Sequence, residues 1–120
     1  MISLIITHWI GDALFQSERQ ATNKWKGSWE LTEHILVYSL VMFIWSSFAL
    51  PHEKVWAFLS ITASLHLVTD FLTSKISHYL FERKIYYTKI LNVGAFSVIV
   101  LDQALHFLQL LITYQWIIQQ

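Results

Sequence analysis

Four long apolar stretches occupy most of this 120-residue chain and constrain its fold more than any other feature. They cover residues 1–15, 31–50, 55–72 and about 90–118. A helix needs about 20 apolar residues to cross the ~30 Å hydrocarbon core of a bilayer. The second and fourth stretches reach that length, the third nearly does, and the first is short enough for a tilted or partly inserted helix. Because an open strand cannot satisfy its backbone hydrogen bonds in lipid, all four are predicted to be helices.

The composition supports a bilayer as the surroundings of this chain. Hydrophobic residues make up 55% of the sequence and charged residues 13%, against about 25% charged residues in a soluble domain. A soluble domain of this size has too little interior to bury so many apolar side chains. We therefore predict an all-α integral membrane protein, folded as one four-helix transmembrane bundle over residues 1–120.

The basic residues predict the orientation of the bundle. Seven of the eight Lys and Arg residues lie in two polar stretches, residues 16–30 and 73–89. Cytoplasmic loops of membrane proteins are enriched in basic residues, so both stretches are predicted to be cytoplasmic. Within the second stretch, the segment from Lys75 to Lys84 is long enough for a short amphipathic helix on the membrane surface, between the third and fourth membrane helices.

Two absences narrow the function. The formal net charge is zero, which leaves no basic surface for nucleic acid. The chain has no Cys, which excludes disulfides, thiolate metal sites and Cys nucleophiles. A homodimer is compatible with four short spans, although no single stripe of small residues specifies one.

The histidines follow a regular pattern. Five of the six have an acidic residue four positions away, where random placement predicts about one. Residues four apart lie on one face of a helix, so each membrane helix is expected to present one carboxylate and one imidazole in the same direction. The pairs on the four predicted membrane helices are His8 with Asp12, Glu30 with His34, His66 with Asp70, and Asp102 with His106. The fifth pair, His78 with Glu82, is interpreted as the solvated face of the surface helix.

Ionisable residues at membrane depth are costly and indicate a functional site. Imidazole and carboxylate groups are ligands of Zn²⁺, Mn²⁺ and Fe²⁺, and helix bundles assemble such centres from facing helices. No Lys or Arg lies within the apolar spans, so the buried carboxylates need a compensating cation. We predict one or two divalent ions, with these candidate ligands: His8, Asp12, His34, His66, Asp70, Asp102 and His106. Among them, Asp12, Asp70 and His34 are the candidate catalytic residues.

The candidate ligands lie at a similar depth if the fourth helix begins near Gly94 or Ala95. The site then opens toward the cytoplasm, and its predicted mouth comprises Gln16, Asn23, Lys24 and Lys75. Lys24 and Lys75 could bind an anionic group such as the phosphate of a lipid or nucleotide. The alternative is that both are ordinary lysines of the cytoplasmic face.

These residues favour a divalent-metal-dependent hydrolase that acts on a membrane-associated ester or phosphoester at the cytoplasmic face. A cation or proton transporter could use the same intramembrane residues. Two facing His could instead ligate haem, and the His–Asp pairs could simply be buried ion pairs between helices. A non-enzymatic membrane protein that regulates a host partner is a further alternative.

The polar positions also form an ordered motif that spans nearly the whole chain. It reads His8-x-x-Gly11-Asp12-x-x-x-Gln16, Ala21-x-Asn23-Lys24, His34, His66-x-x-x-Asp70-x-x-x-x-Lys75 and Asp102-Gln103-x-x-His106. This motif resembles that of the small bacterial and phage membrane proteins grouped as domain of unknown function 3307. The resemblance implies a multi-pass protein of the bacterial inner membrane and implies no particular activity. Glu30, His78 and Glu82 lie outside the motif. A looser similarity links the chain to small membrane proteins described as metal-dependent hydrolases.

Overall fold

A computed structural model describes residues 1–27, 29–87 and 94–120 of the chain, and within them it contains helices and no strands. The prediction of an all-α protein is therefore confirmed. In chain order the helices are α1 (Ile2–Trp9), which continues as a π-helical turn (Ile10–Leu14), α2 (Glu18–Asn23), which continues as a 3-10 turn (Lys24–Lys26), α3 (Trp29–Ala49), α4 (His52–Glu82) and α5 (Ala95–Gln119).

Three of these helices are long and apolar enough to cross a membrane. They are α3 with 21 residues, α4 with 31 and α5 with 25. Helix α1 has eight residues and its π-helical turn five, which together extend about 20 Å, less than the ~30 Å hydrocarbon core. The predicted bundle of four membrane-crossing helices is therefore not confirmed. Helix α1 is a short apolar helix that packs against α3.

The three long helices are apolar outside and partly polar inside. Phe48 is 90% exposed, Val100 70% and Trp56 66%, whereas His34 and Asp70 are fully buried. A soluble helix shows the opposite arrangement, with its polar face in water. Polar groups that face the bundle interior and apolar groups that face outward are the arrangement expected in lipid.

Helix α4 corrects one prediction. The separate surface helix expected over Lys75–Lys84 does not form, because α4 runs without a break from His52 to Glu82. No Gly or Pro lies between these two residues, so nothing in the sequence ends the helix earlier. The predicted start of the last helix near residue 90 falls outside the described residues, and α5 begins at Ala95, as the depth argument requires.

The predicted polar stretch 16–30 is largely folded. A capping box opens α2: the Ser17 hydroxyl accepts the Gln20 N–H, and the Gln20 side chain accepts the Ser17 N–H at 2.9 Å. The following 3-10 turn ends at Gly27, whose φ is +64°, and a Cβ there would lie 2.8 Å from Cε2 of Phe71. This turn packs on α4 and holds Lys24 over one end of the bundle.

The interior of the bundle changes character along its length. Toward the α3–α4 connection it is apolar, with Leu4, Met42 and Phe58 fully buried. Toward α2 it is lined by His and Asp side chains. The helices therefore enclose a polar chamber that is closed at one end by a packed apolar core.

Candidate metal centre

All seven predicted ligands are buried and face the same interior. They come from α1, its π-helical turn, α3, α4 and α5. Their exposed fractions lie between 0% and 7% for His8, Asp12, His34, His66, Asp70, Asp102 and His106. The tertiary structure thus brings together every residue that the sequence singled out as a ligand.

Three of the four predicted His–acid pairs meet on their own helices. The shortest distance from Nε2 to a carboxylate oxygen is 3.7 Å for His8 and Asp12, 3.7 Å for His66 and Asp70, and 3.4 Å for His106 and Asp102. These separations follow from the four-residue spacing, which places the side chains one turn apart.

The fourth predicted pair is wrong. Glu30 lies in the first turn of α3, where its Oε1 is 3.8 Å from Nη1 of Arg19 on α2. The imidazole of His34 faces carboxylates from two other elements, Asp12 and Asp70. The partner of His34 is therefore set by helix packing and not by its own helix.

Four ligand atoms from three different elements converge at one point. The Nε2 atom of His34 lies 3.1 Å from Oδ1 of Asp12 and 3.0 Å from Oδ2 of Asp70. The Nε2 atoms of His34 and His66 are 3.2 Å apart. From His66 Nε2, the same two carboxylate oxygens lie at 3.4 and 3.7 Å. We call Asp12, His34, His66 and Asp70 the first ligand group.

These separations fit a bound ion. A tetrahedral site with metal–ligand bonds of about 2.0–2.1 Å has ligand–ligand edges of about 3.3–3.4 Å. The five distances above lie between 3.0 and 3.7 Å and bracket that value. Two imidazole nitrogens that face both each other and two carboxylates form a donor set that a single cation satisfies.

A second set of ligands adjoins the first. Oxygen and nitrogen atoms of Asp12, Asp102 and His106 also lie within 4.8 Å of one another. The Nε2 atom of His106 is 3.4 Å from Oδ1 of Asp102 and 3.2 Å from Oδ1 of Asp70. We call Asp12, Asp102 and His106 the second ligand group.

Neighbouring polar groups orient the carboxylates. The Gln103 amide donates to Oδ2 of Asp12 at 2.7 Å and to Oδ2 of Asp102 at 3.2 Å. The Thr73 hydroxyl donates to Oδ1 of Asp102. Such outer contacts fix the direction of metal ligands. Gln103 belongs to the ordered motif of the sequence, whereas Thr73 was not singled out there, although it lies three residues after Asp70 on the same face of α4.

Tyr38 is a further contact that the sequence did not indicate. Its ring stacks on that of His66 at a centroid distance of 3.8 Å, with 3° between the planes. Its hydroxyl lies 3.5 Å from Nδ1 of His8. Tyr38 lies four residues after His34, so the sequence alone could have placed both on the same face of α3. The ring holds two imidazoles from different helices in place.

Lys24 brings a positive charge from outside the apolar spans to a buried carboxylate. Its Nζ atom lies 3.2 Å from Oδ2 of Asp70, and 14% of its side chain is exposed. No Lys or Arg lies within the apolar spans, but Lys24 reaches a buried carboxylate from the turn outside them. The alternative of an ordinary surface lysine is wrong for Lys24, because the 3-10 turn directs its side chain into the chamber.

A cavity of about 510 Å³ leads to the cluster from the α2 side. The two carboxylates that reach it are Asp12 and Asp102. Polar and apolar side chains share its wall, including Gln16, Lys24, Trp25, Ser77, Phe81, Ile99 and Gln103.

The four predicted mouth residues divide into two pairs. Gln16 and Lys24 line the cavity, and the Gln16 amide lies 3.4 Å from Nδ1 of His34. Asn23 and Lys75 are not among the lining residues. Asn23 Nδ2 donates to the carbonyl of Arg19 at 3.0 Å, and Lys75 is exposed, with its Nζ 4.1 Å from the centre of the Phe71 ring. The cavity wall thus includes two of the four predicted mouth residues, and the placement of the other two at the mouth stays a prediction.

Fold and site together define a class: an all-helical protein with three helices able to cross a membrane, and a buried His–Asp cluster able to hold a metal ion. The family profile described as "Protein of unknown function (DUF3307)" matches residues 1–120. The chain belongs to this family, and the resemblance seen in the sequence is confirmed. No curated protein and no solved structure matches the chain.

Proposed function

We propose that this protein is an integral membrane metalloenzyme that hydrolyses a membrane-associated ester or phosphoester at the cytoplasmic face. One divalent ion, Zn²⁺, Mn²⁺ or Fe²⁺, is bound by the first ligand group. The observation that carries this proposal is the convergence of two imidazole nitrogens and two carboxylate oxygens at distances of 3.0 to 3.7 Å, close to the edges of a tetrahedral site.

The cavity supplies the reaction with access and with a proton acceptor. A bound divalent ion makes a water molecule acidic enough to attack at neutral pH and polarises a phosphoryl or acyl oxygen. Asp102 lines the cavity and lies outside the first ligand group, so its carboxylate is placed to take up the proton that this water loses. The water oxygen bonds to phosphorus or to the acyl carbon, the ester bond breaks, and the proton passes to the departing oxygen.

The cavity wall favours an amphiphilic substrate. Trp25, Phe81 and Ile99 offer apolar contacts, while Gln16 and Gln103 offer amides near the cluster. A cavity with mostly apolar walls and a few convergent polar groups is typical of small-molecule sites. Since the surrounding surface is apolar enough for lipid, a lipid-like ester suits both the cavity and the route by which it would arrive.

Transport and regulation are the competing proposals. A transporter needs a polar path from the cluster to both sides of the bilayer, and on the side away from the cavity Leu4, Met42 and Phe58 fill the interior with no exposed surface. This packing supports hydrolysis over transport. A purely regulatory role requires no metal, so metal analysis separates it from the other two.

The test is elemental analysis of detergent-purified protein prepared without chelators. We expect at least one divalent ion per chain in the wild type and a loss of metal in His34→Gln and Asp70→Asn. His52→Gln is the matched control, because His52 is exposed and lies outside the cluster, and it should keep the wild-type metal content. Circular dichroism should show that all variants retain their helices.

Two outcomes would overturn the proposal. A metal-free wild type with full helix content and undiminished thermal stability would exclude the metal centre. A metal-loaded protein that hydrolyses neither esters nor phosphoesters, yet carries divalent cations across proteoliposomes, would replace hydrolysis by transport.

A further inference from the structure

We infer that the cluster is a two-ion centre in which Asp12 and Asp70 each bridge the ions, and that its substrate is an anionic phosphoester. This inference rests on the proposed metal centre and adds to it a second ion, the bridging ligands and the charge of the substrate. Three observations support it: the contacts made by the two oxygens of each carboxylate, one of the two buried imidazole nitrogens without a hydrogen-bond partner in the described part of the chain, Nε2 of His8, and the formal charges of the groups in the chamber.

The two oxygens of Asp12 contact different groups, and so do the two oxygens of Asp70. Oδ1 of Asp12 faces His34 and His66, at 3.1 and 3.4 Å, while its Oδ2 lies 3.7 Å from Nε2 of His8. Oδ2 of Asp70 lies 3.0 Å from Nε2 of His34, and its Oδ1 lies 3.2 Å from Nε2 of His106. Carboxylates that bridge in this way are suited to two-metal sites, whose ions lie about 3.5–4 Å apart.

The second position has its own ligands. Oδ1 of Asp102 lies 3.4 Å from Nε2 of His106, and atoms of both residues lie within 4.8 Å of Asp12. The second position therefore receives an imidazole and a carboxylate that the first ligand group does not use, together with an oxygen of Asp12. Oδ1 of Asp70 lies 3.2 Å from the same imidazole nitrogen of His106.

His8 is the independent sign that a ligand belongs there. Its side chain has no exposed surface, and its Nε2 has no hydrogen-bond partner among the described residues. That atom lies 3.7 Å from the outer oxygen of Asp12. A buried polar atom without a partner is costly, and a cation bound at Oδ2 of Asp12 would satisfy it. A single ion in the first ligand group would leave Nε2 of His8 unpaired.

The formal charges point to an anionic substrate. Three buried aspartates face one lysine, Lys24, whose side chain is 14% exposed, which leaves two negative charges when the imidazoles are neutral. One divalent ion neutralises these charges, and a second gives the chamber two surplus positive charges. A phosphoester in the adjoining cavity would balance that surplus, whereas a neutral acyl ester would not.

The test counts ions and reports their separation without an activity assay. Purified protein is saturated with Mn²⁺, freed of excess metal and examined by elemental analysis and electron paramagnetic resonance. We expect two ions per chain and the spectrum of an exchange-coupled Mn²⁺ pair. The variant Asp102→Asn with His106→Gln should hold one ion and give an uncoupled spectrum, as should Asp102→Asn alone if the double change unfolds the chain.

The matched control changes an imidazole and a carboxylate outside the cluster. His52→Gln with Glu53→Gln alters two exposed residues at the start of α4 and should keep two coupled ions. Inorganic phosphate, titrated calorimetrically, is the probe for substrate charge. It should bind the two-ion protein and bind the one-ion variant about tenfold more weakly or worse.

Four other results would each overturn a different part of the inference or of the proposed function. One ion per chain that persists in Asp102→Asn and is lost in His34→Gln would overturn the second ion and leave the proposed metal centre standing. Two uncoupled ions would overturn the bridging aspartates. Phosphate that fails to bind the two-ion protein would overturn the anionic substrate. A wild type without metal would overturn the proposed function together with this inference.

Discussion

Lys24 shows how one side chain from a peripheral turn changes the electrostatics of a buried site. Its ammonium group lies 3.2 Å from a carboxylate oxygen of Asp70, which has no exposed surface. Both charges lose much of their hydration in the chamber, so each depends on the other for compensation. Removing one partner of a buried pair costs far more than removing a surface pair, because it leaves an isolated buried charge.

We expect Lys24→Met to lower the free energy of unfolding of the metal-free protein by about 3–5 kcal/mol. Met keeps the length and much of the apolar stem of the side chain while removing its charge. Denaturant unfolding in detergent with a chelator present would measure the change. The control is Lys26→Met, in which an exposed lysine two residues away is replaced, with an expected change below about 0.5 kcal/mol.

A double-mutant cycle tests the same pair from the other side. Because Asp70→Asn removes the charge that Lys24 compensates, Lys24→Met should cost much less in that background. Equal stability of Lys24→Met and Lys26→Met would contradict the pairing, and so would strict additivity with Asp70→Asn.

At the scale of the helices, the close approach of α1 and α3 places Asp12 in the chamber. The π-helical turn Ile10–Leu14 carries Asp12, and such turns are frequent at functional sites. A Cβ on Gly11 would lie 3.3 Å from both Cδ2 of Tyr38 and Cβ of Val41. The absence of a side chain at Gly11 therefore lets the π-helical turn lie directly on α3.

Gly11→Val should separate these two elements. The added branched side chain must displace Tyr38 or Val41, and overpacking of this kind costs about 1–3 kcal/mol. We expect lower thermal stability and a weaker affinity for metal, since Asp12 moves with the turn. Ala13→Val introduces a branched side chain at an exposed position of the same turn and should leave metal affinity unchanged. Wild-type metal affinity in Gly11→Val would contradict this role.

Helix α4 shows which helix boundaries could be predicted from the sequence and which could not. The apolar stretch 55–72 located its membrane part, but the charged residues after it were interpreted as a loop with a separate helix. Charge weakens membrane insertion without breaking a helix, so α4 continues to Glu82. The short helix α2 was missed within residues 16–30 even though Ser17 and Gln20 carry the spacing of a capping box.

For the whole molecule, the distribution of bases predicts a topology that labelling can test. Among the described residues, six Lys and Arg residues lie on α2, on the 3-10 turn, in the C-terminal part of α4 and in the two residues after it. A seventh, Lys54, lies near the start of α4. The positive-inside rule places the first group in the cytoplasm. The cavity then opens toward the cytoplasm as well, because residues of α2 and the 3-10 turn line it.

Because the chain contains no Cys, single cysteines can be introduced without a background signal. On intact cells, a membrane-impermeant maleimide should label Glu53→Cys and Gln119→Cys. Glu18→Cys and Glu82→Cys should react only after the cells are opened. All four positions are exposed, and no basic residue is removed. Labelling of Glu18→Cys or Glu82→Cys on intact cells would contradict this orientation.

The sequence by itself determined the membrane-type helices and the seven candidate ligands, because apolar length and four-residue spacing are properties of a single helix. The tertiary structure decided which atoms meet. It joined His34 to Asp12 and Asp70 and left Glu30 with Arg19. It also brought Lys24 to a carboxylate 46 residues away. These contacts depend on how helices pack and where a turn lies on them, and no local pattern encodes either one.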